Sequence, residues 1–477
     1  MLFADKQDST QLVVIGAGPG GYAAAFLAAD LGIEVTLVDP EPNPGGVCLF
    51  RGCIPCKARL HIAKLLAESK EAENWGVKFS KPEIDLVQLR SWKESVVKKL
   101  TGGLGQLSNQ RKINYIQGRA SFKDKRLINI LRVDGGNQKL SFEYAIIATG
   151  SRPTSIPGLN INSKRIWNST QALELAIIPK KMLVIGGGYI GLEMGTVYAA
   201  LGTEVSVVEM MPGLLPGADR DLVNMLQKRL EKNFTQILLN TKVAEMKVLK
   251  EAIKVRFESL SGESTEEKFG HVLVSVGRKP NTEDLGLENT DVSLDKPGFI
   301  QVDEQRRTAE SSIFAIGDVA GEPMLAHKAS HEGRIAVEVI AGHKVAFEPR
   351  AIPAVVFTDP EIAWCGLTES EAKEQNRPVE VARFPWAASG RALAMDRTDG
   401  LTKLLIDPET ERILGMAIVG SGAGELIAEG VLAIEMAAVA TDLKLSIHPH
   451  PTLSETVMES AEVFFGQSTH IYRPKKR

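Results

Sequence analysis

The stretches VVIGAGPGGYAAAFLAADLGIEVTLVD (residues 13–39) and LVIGGGYIGLEMGTVYAALGTEVSVVE (residues 183–209) decide the fold. They align on each other at an offset of 170 residues. Each is an apolar run, a G-x-G-x-x-G turn, a helix of small residues and a second apolar run ending in an acid. The glycines are Gly16, Gly18 and Gly21 in one copy and Gly186, Gly188 and Gly191 in the other; the acids are Asp39 and Glu209. In such a β-α-β unit the first glycine makes a tight turn and the second lets the backbone approach a pyrophosphate. The third lets the helix pack on the strand, and the helix N-terminus faces the phosphate charge. The acid accepts hydrogen bonds from a ribose hydroxyl. One such turn is weak evidence, but two in the same register imply two dinucleotides. After Glu209 come Met210 and Met211, with no arginine for a 2′-phosphate. The acid would repel that phosphate, so the second site is expected to prefer NAD over NADP.

Outward from the repeat, AIIATGSRP (145–153), VLVSVGRKPN (272–281) and SIFAIGDVAG (312–321) read as apolar strands ending in glycine turns, the last carrying Asp318. From about Ala351 the pattern changes. AVVFTDPEIAWCGLT and TKLLIDPETERILGMAIVG read as antiparallel strands, and GELIAEGVLAIEMAAV (424–439) has helical periodicity. The fold class is therefore α/β: two Rossmann-like dinucleotide-binding domains plus a C-terminal α+β domain.

Composition agrees. The 477 residues suggest about three domains. With 56 basic and 59 acidic residues the net charge is −3, which lacks the basic footprint of a nucleic-acid binder. No apolar run reaches the length of a membrane span. The opening MLFADKQDST has no apolar core of a signal peptide, so the expected address is cytoplasmic. Lys475, Lys476 and Arg477 read as a short solvated basic tail. The 43 glycines exceed the usual share of about 7%.

Of only four cysteines, three lie in GGVCLFRGCIPCKARL (45–60): Cys48, Cys53 and Cys56; the fourth is Cys365. The count excludes a disulfide scaffold. Four readings compete for the cluster. It could be buried core cysteine, or an iron–sulfur site with Cys365 as a remote ligand. It could be a zinc site completed by His61, although the spacing is poor for zinc. The fourth reading is a redox-active disulfide beside a flavin. CIPCKARLHIAKLLAESKEA reads as the start of a helix, whose N-terminus favours a thiolate, and Lys57 adds positive charge. Dithiol chemistry also needs a proton acceptor. SIHPHPTLSETV (446–457) offers His448, His450 and Glu455, with Pro449 and Pro451 fixing the backbone around His450. Glu455 is placed to orient the His450 imidazole.

From near residue 10 to near residue 470 the chain resembles the pyridine nucleotide–disulfide oxidoreductase family, in its dihydrolipoamide-oxidising, bacterial form. The motifs are GGVCL–RGCIP–K, GGGYIGLEMGT, IFAIGD with PMLAHKASHEG, FPWAASGRA and HPHPTLSE. The resemblance implies a Cys48–Cys53 disulfide, in which Cys48 exchanges with the substrate dithiol and Cys53 lies beside the flavin. It implies that Lys57 pairs with Glu193 near the flavin and that His450, oriented by Glu455, is the base. It implies FAD held by Gly16, Gly18, Gly21, Asp39, Gly46, Val47, Lys57, Ala120, Thr149, Gly150, Asp318, Met324, Leu325, Ala326 and His327. It implies NAD held by Gly186, Gly187, Gly188, Tyr189, Ile190, Glu193, Glu209, Val243, Val276, Gly277 and Arg278, with no metal. The domains are then 1–152, the first part of the FAD domain; 153–277, the NAD domain; 278–350, completing the FAD domain; and 351–477, the interface domain. The expected activity is oxidation of protein-bound dihydrolipoamide with reduction of NAD⁺. The expected partners are a second copy of the chain, whose disulfide His450 reaches, and a lipoylated acyltransferase or glycine-cleavage carrier protein. Two positions depart from the family pattern: Cys56 where it usually has Ser, and Phe50 where it usually has Asn.

Overall fold

A computed structural model describes residues 8–156 and 161–472. The basic tail lies outside the described residues. The chain divides into two compact units. The first comprises Met1–Ala58, Ile84–Thr154 and Gly277–Glu348; the second comprises Arg59–Glu83, Ser155–Val276 and Pro349–Arg477. The second unit thus unites the second repeat with the C-terminal region, which the sequence reading assigns to separate domains.

In the first unit the apolar run of the first repeat becomes the strand Asp8–Ile15. It lies between Val35–Asp39 and the end of Asn137–Ile147, parallel to both. Asn114–Asp124 and Ile313–Ala315 extend the parallel sheet on either side. The far halves of Asn114–Asp124 and Asn137–Ile147 leave it to sandwich Leu127–Arg132 in an antiparallel extension. Residues on both faces of the central strand are buried, since Leu12, Val13 and Val14 are fully covered. That is why it reads as a continuous apolar run without alternation. The helices Pro19–Asp30 and Ala326–Ile340 press together through glycines. A Cβ on Gly20 would meet the Ala329 carbonyl at 2.9 Å, and one on Gly333 would meet the Gly20 carbonyl at 2.6 Å.

The second unit repeats this plan. Lys181–Ile185 lies between Glu204–Val208 and His271–Val274, with Gln236–Leu238 and Ile166–Trp167 outermost, all parallel. The antiparallel meander Thr241–Val248, Ile253–Ser259, Ser264–Phe269 matches the extension of the first unit. The C-terminal region adds a five-stranded antiparallel sheet in the order Ala354–Val356, Glu361–Gly366, Ile413–Gly420, Leu401–Ile406, Glu380–Pro385. The helices Ala423–Glu435 and Glu455–Phe464 complete it. Trp386, fully buried, is wedged between Gly400 and Gly420, where any Cβ would stand 2.3 Å from its ring. Its indole N–H donates to the Thr402 hydroxyl at 3.0 Å. The FPWAASGRA segment therefore begins as core packing.

Candidate functional site

The two glycine turns have the same geometry. Gly16 and Gly186 adopt φ of +100° and +106°, a region that side chains rarely enter. A Cβ there would strike the Ala148 carbonyl at 2.4 Å or the Ser275 carbonyl at 2.6 Å. A Cβ on Gly21 would stand 1.8 Å from the Gly16 carbonyl, and one on Gly191 would stand 2.4 Å from that of Gly186. The middle glycines differ. A Cβ on Gly18 meets nothing nearer than Gly46 Cα at 4.0 Å, and one on Gly188 meets nothing within 4 Å. Gly18 and Gly188 are also the N-caps of Pro19–Asp30 and Tyr189–Ala200, and neither helix has a side-chain cap. Each turn thus presents open space in front of a helix N-terminus that has no side-chain cap. These are the conditions a bound pyrophosphate requires, and both turns fit a dinucleotide.

The acids close the turns in parallel. Asp39 accepts from the amides of Ala17 at 2.7 Å and Glu41 at 2.9 Å. Glu209 accepts from Gly187 at 2.7 Å and Met211 at 2.8 Å. Burial raises the pKa of Asp39 above the ordinary carboxyl value, against the pull of those two amides. Met210 and Met211 are largely exposed and bring no positive charge to Glu209.

Most of the other expected flavin residues gather at the carboxyl ends of the first sheet, where open α/β sheets bind ligands. Thr149 and Gly150 follow Asn137–Ile147, and Asp318 follows Ile313–Ala315 in the turn Gly317–Ala320. Met324 and Leu325 lead into Ala326–Ile340, whose N-terminus has no side-chain cap. This end lies beside the first glycine turn, with the Ser330 hydroxyl donating to the Pro19 carbonyl at 3.2 Å. His327 is exposed, and Ala120 is buried on the antiparallel extension. In the second unit Tyr189 and Ile190 open the helix after the turn, and Val243 lies half-buried on Thr241–Val248. Val276 is partly exposed. Glu193 is buried and accepts from the Phe357 amide at 2.9 Å. Gly277 and Arg278 belong to the first unit.

The cysteine segment starts on the first turn. The Gly45 amide donates to the Ala17 carbonyl at 2.8 Å, and a Cβ on Gly46 would meet Gly18 Cα at 2.5 Å. Cys48 and exposed Val47 lie in the short helix Gly46–Arg51; Cys53 opens the helix Cys53–Glu71, with Cys56 and Lys57 in its first turn. A hydrogen bond with the Cys53 side chain, then burial, then the charge of Cys53 push the Cys48 thiol far above its ordinary pKa. The Cys53 amide and Lys57 pull it down and lose. In the reduced pair the Cys48 thiol therefore keeps its proton, in the hydrogen bond with the Cys53 side chain. Tyr22, which the sequence reading did not single out, lies near both cysteines. Burial, then those two neighbours, raise its pKa. Cys56 is 8% exposed, whereas Cys53 is exposed. Cys365 is buried in the core of the C-terminal sheet, where burial pushes its thiol up to about 12. His61, offered above as a zinc ligand, is exposed.

In the second unit His450 Nδ1 lies 2.9 Å from a Glu455 carboxylate oxygen, and the other oxygen accepts from the Thr452 amide at 2.8 Å. Burial acts to raise the Glu455 pKa, but the Thr452 amide and His450 outweigh it and hold it below the usual range. An ionised carboxylate only accepts, so His450 Nδ1 donates and the lone pair of the neutral ring sits on Nε2. The His450 side chain is 74% exposed. His448 is instead buried against Glu429 at 2.8 Å.

Among the described residues one carboxylate group is close enough to hold a metal: Asp219, Asp221 and Glu369. Its centre is taken by the fully buried Lys403, whose ammonium lies 2.8, 2.8 and 2.6 Å from the three. That group is an internal ion-pair network.

Residues 10–333 match the model of the pyridine nucleotide-disulphide oxidoreductases, and residues 352–461 match the dimerisation domain of that family. A protein of Haemophilus influenzae named dihydrolipoyl dehydrogenase is 49% identical over 472 residues, 99% of this chain and 98% of that protein. One of the same name from Vibrio cholerae is 47% identical, covering 99% of each. The crystal structure of LpdA from Mycobacterium tuberculosis is similar at a TM-score of 0.88 and 26% identity, over 95% of this chain and 99% of that one. The HOCl-induced flavoprotein disulfide reductase RclA of Escherichia coli, solved as a Cu(II) complex, is similar at 0.86 and 27%, over 96% and 100%. No helix among the described residues is long and apolar enough to cross a membrane.

Proposed function

The chain belongs to the pyridine nucleotide-disulphide oxidoreductase family, and from that membership we infer that it oxidises protein-borne dihydrolipoamide to lipoamide with NAD⁺ as final acceptor. The observation that carries this reading is the Cys48–Cys53 pair, two side chains in contact on a segment packed directly against the first dinucleotide turn. FAD held at that turn would supply a two-electron acceptor for the reduced cysteines, and NAD⁺ held at the second turn would supply the final hydride acceptor.

The chain's own residues do the rest. His450 Nε2 removes a proton from one substrate thiol. The thiolate attacks Cys48 of the Cys48–Cys53 disulfide, and Cys53 leaves as thiolate. The second substrate thiol displaces Cys48, closing the lipoyl ring. Two electrons have passed from the substrate dithiol to the cysteine pair. Glu455 keeps Nδ1 protonated and stabilises the imidazolium once it forms. Lys57 holds positive charge by the flavin. The chain acts as a homodimer in which the base of one subunit serves the disulfide of the other. Its macromolecular partner is a lipoylated acyltransferase or a glycine-cleavage carrier protein.

Steady-state assays on the FAD-loaded protein test this reading. Dihydrolipoamide with NAD⁺ should support turnover. Glutathione disulfide with NADPH should not, because Glu209 repels a 2′-phosphate. The reverse preference would refute it.

A further inference from the structure

Arg278 is one of the residues that the resemblance assigns to the NAD site, yet two of its five donors are engaged elsewhere. Its Nε donates to the Ser151 hydroxyl at 2.7 Å, and its Nη2 donates to the Ser151 carbonyl at 2.7 Å. The Ser151 hydroxyl in turn donates to the Asp318 carboxylate. The direction of this chain is forced, because a guanidinium only donates and a carboxylate only accepts. The one proton on Ser151 must therefore point at Asp318. Ser151 is 3% exposed, so water does not compete for it.

The backbone around Asp318 is fixed separately. The Gly317 amide donates to Glu332 at 2.6 Å, and Glu332, fully buried, is paired with Arg306 at 3.0 Å and Lys328 at 3.3 Å. Lys328 also donates to the Gly321 carbonyl at 2.8 Å. With the turn pinned at both ends, the remaining freedom of Asp318 is its side-chain torsions, and Ser151 sets those. The strands Ser151–Pro153 and Arg278–Pro280 pair antiparallel, which keeps Arg278 within reach of Ser151.

We propose that Arg278 and Ser151 are positioning residues of the flavin site: the guanidinium orients the Ser151 hydroxyl, which aims the Asp318 carboxylate at FAD. This rests on the reading that Asp318 holds the flavin.

The test follows FAD release from diluted holoenzyme by the rise in free-flavin fluorescence, with NADH binding to the loaded protein measured in parallel. Ser151→Ala and Arg278→Gln should each release FAD about 10- to 100-fold faster, the range for one hydrogen bond to a charged group. The double variant should be no faster than the worse single one, because the two act through one carboxylate. Arg278→Lys should behave like Arg278→Gln, since an ammonium cannot present the paired donors. The melting temperature of the apoprotein should stay at the parent value, and Ser151→Ala should leave NADH affinity unchanged. Asp318→Asn is the control. If it retains FAD like the parent, the flavin-site reading of Asp318 is itself wrong. If it releases FAD quickly while Ser151→Ala and Arg278→Gln do not, the positioning proposal is overturned. Additive effects, or weakened NADH binding with normal FAD release, overturn it equally. Should Arg278→Gln fail to fold, Ser151→Ala decides alone, because it removes only a hydroxyl.

Discussion

Replacing His450 by Gln removes the one ring nitrogen that the C-terminal dyad leaves basic. A positioned general base contributes about 10²- to 10⁴-fold, so dihydrolipoamide turnover should fall by about that factor. Glu455→Gln is the informative companion. It keeps an acceptor for His450 Nδ1, 2.9 Å away, but removes the charge. Two unit charges about 4 Å apart attract by about 1 kcal/mol in water and about 4 kcal/mol near a protein surface. With His450 74% exposed, the low end applies. Glu455→Gln should therefore cost about fivefold, less than His450→Gln. The carboxyl titrates below its ordinary value of 4.5. The ionised form that orients the ring is thus complete above that pH and is lost only as pH falls through the lowered value. Any change in turnover between about pH 5 and 8 must come from another group. The assay pairs dihydrolipoamide–NAD⁺ turnover with NADH–ferricyanide turnover, which takes no proton from a substrate thiol. Equal losses in both reactions, or full dithiol turnover in His450→Gln, would refute the assignment of the base.

Other consequences can be checked on the same preparation. Lys403→Met should lower stability by about 3–5 kcal/mol, because it leaves Asp219, Asp221 and Glu369 together without their buried cation; calorimetry measures it, and an unchanged melting temperature would contradict the network. For Asp219 and Asp221 burial raises the pKa, but Lys403 and the neighbouring donors outweigh it, so both titrate below 3.8. Their stabilisation is present above that pH and lost as pH falls through the lowered values, which unfolding midpoints between pH 5 and 2 will follow. Cys365, buried with its thiol pushed up to about 12, should resist alkylation at pH 8 in folded protein and react once it is unfolded. Gly21→Ala drives a Cβ to 1.8 Å from the Gly16 carbonyl, so the purified protein should lack flavin absorbance; a full FAD complement would show that the helix can shift.

The glycine turns were legible in the sequence because their geometry is local. Three glycines, a strand and an acid lie within one short segment, and each has a steric reason to be where it is. The C-terminal strands were legible for the same reason, and Glu361–Gly366 and Leu401–Ile406 both pair antiparallel with Ile413–Gly420. The contacts that escaped are long-range. Ser151 meets Arg278 and Asp318 across 127 and 167 residues of chain, and Lys403 meets Asp221 across 182. No periodicity marks such partners, since any exposed-looking Lys, Arg or Ser could be one. The raised pKa of the Cys48 thiol escaped for a related reason. Helix start and Lys57 are local and visible, whereas the opposing hydrogen bond and burial depend on how Gly46–Arg51 packs. His450 and Glu455 stand only five residues apart in the chain, so their contact at 2.9 Å is local as well.

The most direct test of the account is differential alkylation of the oxidised holoenzyme after one equivalent of dihydrolipoamide without NAD⁺. Mass spectrometry then counts the new thiols. The account predicts that Cys48 and Cys53 both become alkylatable while Cys56 and Cys365 keep their initial state. A gain at Cys53 and Cys56, or at no cysteine, would contradict it.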